Sequence, residues 1–541
     1  MNLPVNIQII ANGKEINRYG IHALHIDYRA QRIPTATVTL RAGSPATASY
    51  PMADDSAFKS GNEVKIKLGR QGQPNTQALV FSGLICAKKL RLSNGVTELK
   101  LTLHSDLIKL VDPPKDFIFS QRKTDDAIVR EICSERAISN IKVSKSDIEH
   151  EQFCRFNMTP WQLVMERVHA NGFLMLPSPE KVTIAAIEVV GSKTHSLEVG
   201  LDEVVSVELE NDVSMQLGSI SRVGYDETKQ DYLSPATTRT RALFGGALKP
   251  QAAAKALSKS PLKSYTGSPQ DRASAQAWSK AQATYRTLDL YRGKVVVEGQ
   301  SHFQLGDKLA VRKMGDEFSG QYIISGVRHK VDMNGWKTQL DLGLQFPTSL
   351  TKNTQASSKE QGLLFGKVLK YSKDPKKLYR YKVSIPALTN KSLWCRLASP
   401  YAGKEEGLFV PPKPGHEVLL GFVADEPEHP VILGSLHNPK NKPPLPFDGK
   451  LERRGLVIVK DKQSLLFDEK EKSTVLAGGK NNSMTINDDK SLQLKRDKTT
   501  VVLEKDLQLQ SGAQVSLSAK KDVAIKASGK TKIKASKTEI S

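Results

Sequence analysis

Cysteine is scarce in this 541-residue chain. The four present, Cys86, Cys133, Cys154 and Cys395, are scattered, with no C-x-x-C pair and no metal-ligand spacing. The pattern offers no metal site and favours a reduced, cytoplasmic place of synthesis. Aromatic residues make up only 6%, which suits long β surfaces better than large cores. No stretch approaches the length of a membrane span. The start, Met1-Asn2-Leu3-Pro4-Val5, lacks the basic region and apolar run of a signal peptide.

Catalytic patterns are missing too. His416-Glu417 begins an H-E-x-x-H motif, but Leu420 stands where the second His belongs. Gly434-Ser435-Leu436-His437 does not fit a nucleophile elbow, so Ser435 reads as a turn residue. His150-Glu151 near Cys154 reads as a solvated loop and not as a Cys/His pair. Asp425, Glu426 and Glu428 form an acidic turn with no EF-hand pattern around it. There is no phosphate-binding loop. The expectation is no catalytic residue, no cofactor and no metal.

What the sequence does have is a repeat near its end. Leu507 and Leu509, Val515 and Leu517, Val523 and Ile525, then Thr531 and Ile533 form doublets, each starting eight residues after the last. A spacing of two puts both side chains of a doublet on one face of a strand. Lys, Ser, Asp, Gly and Ala fill the gaps. An octad is too short to close a β-helical coil alone, whereas three identical chains wound together would bury the apolar stripe and leave no open edge. The needle core is therefore Leu507, Leu509, Val515, Leu517, Val523, Ile525 and Ile533, in a homotrimer. The end, Thr538-Glu539-Ile540-Ser541, would expose open backbone groups and calls for a separate capping partner.

The rest of the chain reads as mainly β. Residues 1–110 form a first small barrel, with a strand over Val5–Ile10. Residues 111–200 are an α/β insert whose helices start after Thr124 and, better signalled, at Thr159-Pro160, the latter ending at Asn171-Gly172. Residues 201–350 form a second barrel like the first. Ala/Ser-rich residues 242–280 interrupt it as a loop, leading into a helix over roughly 273–288. After a polar linker at 351–361, residues 362–445 make a compact OB-type barrel with strands over 381–385 and 417–422. The needle occupies 451–541.

Net charge is +22, and residues 361–400 hold nine Lys or Arg against one acid. Most of this charge reads as solvated surface. A nucleic-acid reading would rest on Tyr371, Tyr379 and Tyr381 beside Lys376, Lys377 and Arg380.

The OB-type segment carries a distinctive string: Trp394-Cys395-Arg396, Pro400 through Gly403, Gly415-His416-Glu417, and Pro430 through Gly434. Trp394, Pro400, Gly403, Gly415, Glu417, Pro430 and Gly434 are its markers. It resembles the OB-fold spike base of the VgrG family, related to phage hub and tail-spike proteins. Phe156 to Gly172 and Gly320 to His329 are similar to that family's hub blocks, in the family's order. The resemblance implies two hub β-barrels with an α/β insert, an OB barrel and an intertwined trimeric β-helix. It implies a spike of a contractile injection system, one that joins the inner tube, meets baseplate proteins and possible cargo effectors, and transiently crosses a target-cell envelope. A PAAR-like tip protein would sit on Thr538, Glu539, Ile540 and Ser541. The short tail is closer to extracellular phage-tail-like particles. No lysozyme domain fits between Ser435 and Leu451. The alternatives are a β-helical polysaccharide-degrading enzyme and an OB-fold nucleic-acid binder. The first needs carboxylates that the doublets lack, and no nucleic acid is expected as partner.

Overall fold

In a computed structural model the described residues are all but 1–4, 44–48, 94, 192, 348–361, 389–390, 446–448, 480–481, 489–491, 496–509 and 540–541. The chain divides into two compact units, Met1–Leu436 and His437–Ser541.

The first unit is built on a 13-stranded sheet. Strand alternation drives it: in Val96–His104 and Gly335–Leu342 every second side chain is buried. Two cores lie on it, one around Leu24, Phe81 and Leu101, the other around Val295, Leu309 and Leu340. The hub barrels expected at 1–110 and 201–350 are not separate bodies. Gly320–Asp332 pairs antiparallel with Gly20–Arg29, with Val327 opposite Tyr28. Val331 and Trp336 of the second half pack in the first core. Each half thereby satisfies an edge that the other leaves open.

The halves also repeat one another. Gly20–Arg29, Thr35–Arg41, Val96–His104, Gln73–Ser93 and Glu63–Arg70 lie side by side in that order. Val204–Asn211, Tyr291–Glu298, Gly335–Leu342, Gly320–Asp332 and Lys308–Arg312 follow the same order.

The insert folds around helices Asp125–Glu135 and Pro160–Ala170. The second is fixed by a capping box: Thr159 accepts the Gln162 N–H at 3.1 Å, and Gln162 accepts the Thr159 N–H at 2.8 Å. Residues 242–280 are not the expected loop. They contain a helix at Pro250–Ala256 and a strand at Leu262–Pro269 that runs parallel to Ser219–Asp226. That strand buries Thr266 and Ser268, so its inward face carries no apolar signature. The following helix runs from Arg272 to Leu290.

Leu364–Val368, Tyr381–Ile385, Lys391–Leu397, Pro430–Ser435 and Glu417–Phe422 close a five-stranded barrel in that order. Val383, Leu393, Val418, Leu420 and Ile432 fill it.

The second unit begins, where the needle is expected, with short strands. Arg453–Val459, Gln463–Asp468, Ser473–Gly479, Asn482–Asn487 and Leu492–Lys495 form an antiparallel meander of one layer. In residues 510–539 of the octad stretch no strand is found within the single chain.

Candidate functional site

The barrel rests on the insert through a seam that begins in the core. Ile118, Cys154 and Phe156 of the insert pack in the same cluster as the barrel's Cys395 and Ile385. Cys154 is buried, and His150 lies on the strand Glu149–His150. The segment read as a solvated loop is therefore the insert's docking face. It was missed because its partners are distant in sequence.

Around this apolar centre runs a buried network of charge. Arg155 donates through Nε to Glu166 at 2.9 Å and through Nη1 to Glu428 of the barrel. Arg167 donates to Glu166 and, at 3.4 Å, to Asp125. Asp125 also meets His150 Nε2 at 2.8 Å and accepts from Asn171 Nδ2 at 2.7 Å. On the barrel side, Arg380 reaches Glu151 at 2.9 Å and Asp374 at 2.6 Å. Burial works against ionised Asp374, yet Arg380 and the backbone N–H groups of Arg380, Lys376 and Leu378 hold its carboxyl down at about 2. Burial likewise opposes ionised Asp125, and Arg167 with His150 outweighs it and keeps the carboxyl below its usual range. Glu426 goes the other way: burial, then its neighbour Glu428, push it up to about 7.

A cleft of about 1070 Å³ opens beside this network, with Trp161, Trp278, Tyr265 and Glu426 on its walls. Arg155, Arg167, Arg380, Glu166 and Glu428 on its walls are paired within the seam. Among the described residues no group of three His, Cys, Asp or Glu is placed to hold a metal. Burial pushes the Cys133 thiol up to about 12, which keeps it protonated and unreactive.

The barrel markers serve the turns and the seam. Trp394 exchanges two hydrogen bonds with Gln152, at 2.9 Å and 3.2 Å. Gly415 has φ +89°, the left-handed region, where its N–H reaches the Val368 carbonyl at 2.8 Å. Gly403 donates to the Glu406 carbonyl at 2.8 Å. Pro400 and Gly434 are exposed, Glu417 is half-buried and Pro430 is buried opposite Phe422. The basic groups of the nucleic-acid alternative are partly spoken for: Arg380 as above, and Lys376 against Glu151 at 3.4 Å.

In the second unit a row of apolar residues runs across one face of the meander, while Val457, Leu466 and Val475 lie on the other. Leu456, Leu465, Leu476, Met484 and Leu494 lie directly opposite one another across the five strands. Phe467 and Ile486 lie on the same face, two residues along their strands. Leu476, Leu494, Phe467 and Ile486 are each at least half exposed. Val515, Leu517, Val523, Ile525 and Ile533 are exposed as well, as are Thr538 and Glu539. Leu507, Leu509, Ile540 and Ser541 lie outside the described residues.

The chain thus combines a paired 13-stranded sheet, a closed OB-type barrel docked on its insert, and a one-layer β unit later in the chain. The chain belongs to the Alg8 N-terminal domain family, which its residues 2–333 match, and its residues 364–437 match the type VI secretion system/phage-baseplate injector OB domain. A 55-residue stretch is 40% identical to the Pseudomonas aeruginosa type VI secretion system spike protein VgrG5, spanning 10% of this chain and 7% of that protein. An E. coli component of the type VI secretion system, described as structurally similar to the T4 bacteriophage tail proteins gp27 and gp5, has the same fold. It shares 12% identity over 80% of this chain and all of its own, with a TM-score of 0.52. The Francisella PdpA–VgrG complex matches at TM-score 0.56 and 10% identity, over 91% of this chain and 79% of the matched one.

Proposed function

We propose that three copies of this chain assemble into the central spike of a contractile injection system. The hub joins the inner tube and baseplate proteins, and the trimer is driven through a target envelope. The work comes from contraction of the machine. The chain itself is a mechanical element with no reaction of its own, and it takes no nucleic acid. A PAAR-like tip at the Thr538–Glu539 end and cargo effectors carried with the spike belong to the same reading. It is made in a reducing cytoplasm and carried in the assembled particle, in keeping with four free cysteines.

The observation that carries this reading is the apolar face of the meander. A one-layer sheet has no second layer to cover Leu456, Leu465, Leu476, Met484 and Leu494. An exposed apolar face of that length marks an interaction surface. Three such faces turned to a common axis would cover one another, and the doublets from Val515 to Ile533 would continue that axis. The test is the native mass of the purified chain in dilute solution, for parent and Leu476→Asp. Three chains for the parent and loss of that mass in the variant support the reading. A parent that runs as one chain removes it.

A further inference from the structure

Arg222 is a charge left unanswered. It lies on the strand Ser219–Asp226 and lines the cleft beside the seam. Its guanidinium carbon sits 4.6 Å from the ring centroid of Trp278. Its Nη1 donates to the Ser264 hydroxyl at 2.8 Å and its Nε to Gln270 Oε1 at 3.3 Å. Both partners are neutral. Burial lowers the guanidinium below its ordinary value, and Glu426, which makes no ion pair with it, only partly offsets this. A cation taken from water without an anion beside it is unfavourable.

The acids around Arg222 are spent elsewhere. Glu166 and Glu428 are held by Arg155. Asp271 caps the helix Arg272–Leu290 by accepting the Ser274 N–H at 2.7 Å. Glu426, held up at about 7, carries only part of a charge at neutral pH. Arg167 adds a second donor on the same walls: its buried Nε has no acceptor among the described residues. The cleft is therefore short of an anion.

Its other walls suit a polypeptide better than a small molecule. The volume of about 1070 Å³ exceeds the usual range of small-ligand pockets, roughly 300–1,000 Å³. Trp161, Trp278 and Tyr265 supply rings. The strand Leu262–Pro269, whose Tyr265 and residues 267–269 line the cleft, has Ser219–Asp226 as its one strand neighbour among the described residues. Its other edge is open to pairing with an extended segment. Arg222 reaches across to that strand, where Ser264 is its register partner.

We propose that this cleft receives the C-terminal end of a partner polypeptide, its terminal carboxylate on Arg222 and its last, aromatic side chain against Trp161 and Tyr265. A terminal carboxylate, unlike one on a side chain, is fixed beside the backbone groups that pair with a strand edge. It gives Arg222 the anion that its own chain withholds, in a charge-assisted and bidentate form. All of these groups belong to one chain, so the site does not depend on trimerisation.

The test is fluorescence anisotropy on the full chain, with a fluorescein-labelled hexapeptide ending in phenylalanine as the probe. The free acid should bind saturably. Its C-terminal amide should bind about tenfold more weakly, the loss of one charge-assisted contact. Arg222→Gln should abolish that difference and leave the affinity of the amide in place. Tyr265→Ala, at a ring that is 53% exposed, should weaken both peptides, and it reads the same cleft should Arg222→Gln misfold. A third peptide, amidated and with glutamate as its only acid, separates the two sources of carboxylate: binding equal to that of the free acid overturns the chain end. N-acetylphenylalanine competing as well as the hexapeptide makes the occupant a small carboxylate and overturns the polypeptide. No saturable binding of the free acid at millimolar concentration, or equal binding of acid and amide, overturns the site.

Discussion

Gln152 holds the Trp394 peptide from both sides: its Oε1 accepts the Trp394 N–H at 2.9 Å and its Nε2 donates to the Trp394 carbonyl at 3.2 Å. The same Nε2 reaches the Glu428 carbonyl at 2.9 Å. One buried side chain of the insert thus pairs backbone groups of the barrel strand Lys391–Leu397 and of the turn at Glu428 that would otherwise stay unpaired under cover. Gln152→Ala leaves them unpaired, which costs about 1–3 kcal/mol. The seam should open before either module unfolds. Limited proteolysis should cut between the insert and the barrel in the variant under conditions that spare the parent.

Arg155 is the second clasp, held between Glu166 of the insert helix Pro160–Ala170 and Glu428 of the barrel. Removing it strands the buried Glu428 carboxylate and leaves Glu166 with Arg167 alone. Arg155→Met should cost about 3–5 kcal/mol, the loss typical of breaking one side of a buried ionic group. Replacing the set together, Arg155→Met with Glu166→Leu and Glu428→Gln, should recover part of that loss, because Glu428 is no longer stranded and Arg167 keeps Asp125 as its partner. Thermal unfolding of the three proteins side by side checks both statements.

Glu426 gives the seam a dependence on pH. Its carboxyl is raised from 4.5 to about 7, first by burial and then by Glu428. A raised carboxyl binds its proton more tightly when folded, so its contribution is full below 4.5 and is lost as pH rises through 7. The change is at most about 1.4 kcal/mol per pH unit across that window. Buried His329, lowered to about 4 by burial, acts in the opposite sense over 6.5 to 4. The clean reading is therefore a difference. Glu426→Gln should gain stability over the parent at pH 8, and the gain should vanish towards pH 4.5. A gain independent of pH would show that Glu426 is ionised throughout.

Local features of this fold were legible in the sequence, and distant pairings were not. The Thr159 N-cap with Pro160 after it and the strand Tyr381–Ile385 stand where spacing and capping chemistry put them. The OB barrel follows from its own string of turns and strands. Arg155 and Glu428 lie 273 residues apart, and nothing in either neighbourhood names the other. The strand Leu262–Pro269 stayed hidden because its buried positions are Thr266 and Ser268. The correspondence of the two hub halves lies in the order of their strands. One clue to the seam was present: Glu149 to Arg155 packs five polar or charged residues around Phe153 and Cys154, which is more than a surface loop needs.

The octad stretch allows a substitution that leaves the single chain untouched. Ile525 is 73% exposed in one copy, so Ile525→Asp removes no contact from that copy and adds a soluble charge. In an isolated chain it should be neutral to within the usual few tenths of a kcal/mol for an exposed site. In a needle of three chains the same change gathers three carboxylates in one layer, where like charges taken from water are strongly unfavourable. The variant should then lose trimer mass and gain protease cleavage within 510–539, while the hub and barrel melt as in the parent. Unchanged mass and unchanged resistance would mean that Ile525 faces solvent in the assembly too, and the inward face would have to be sought at the intervening positions, Ala524 and Lys526.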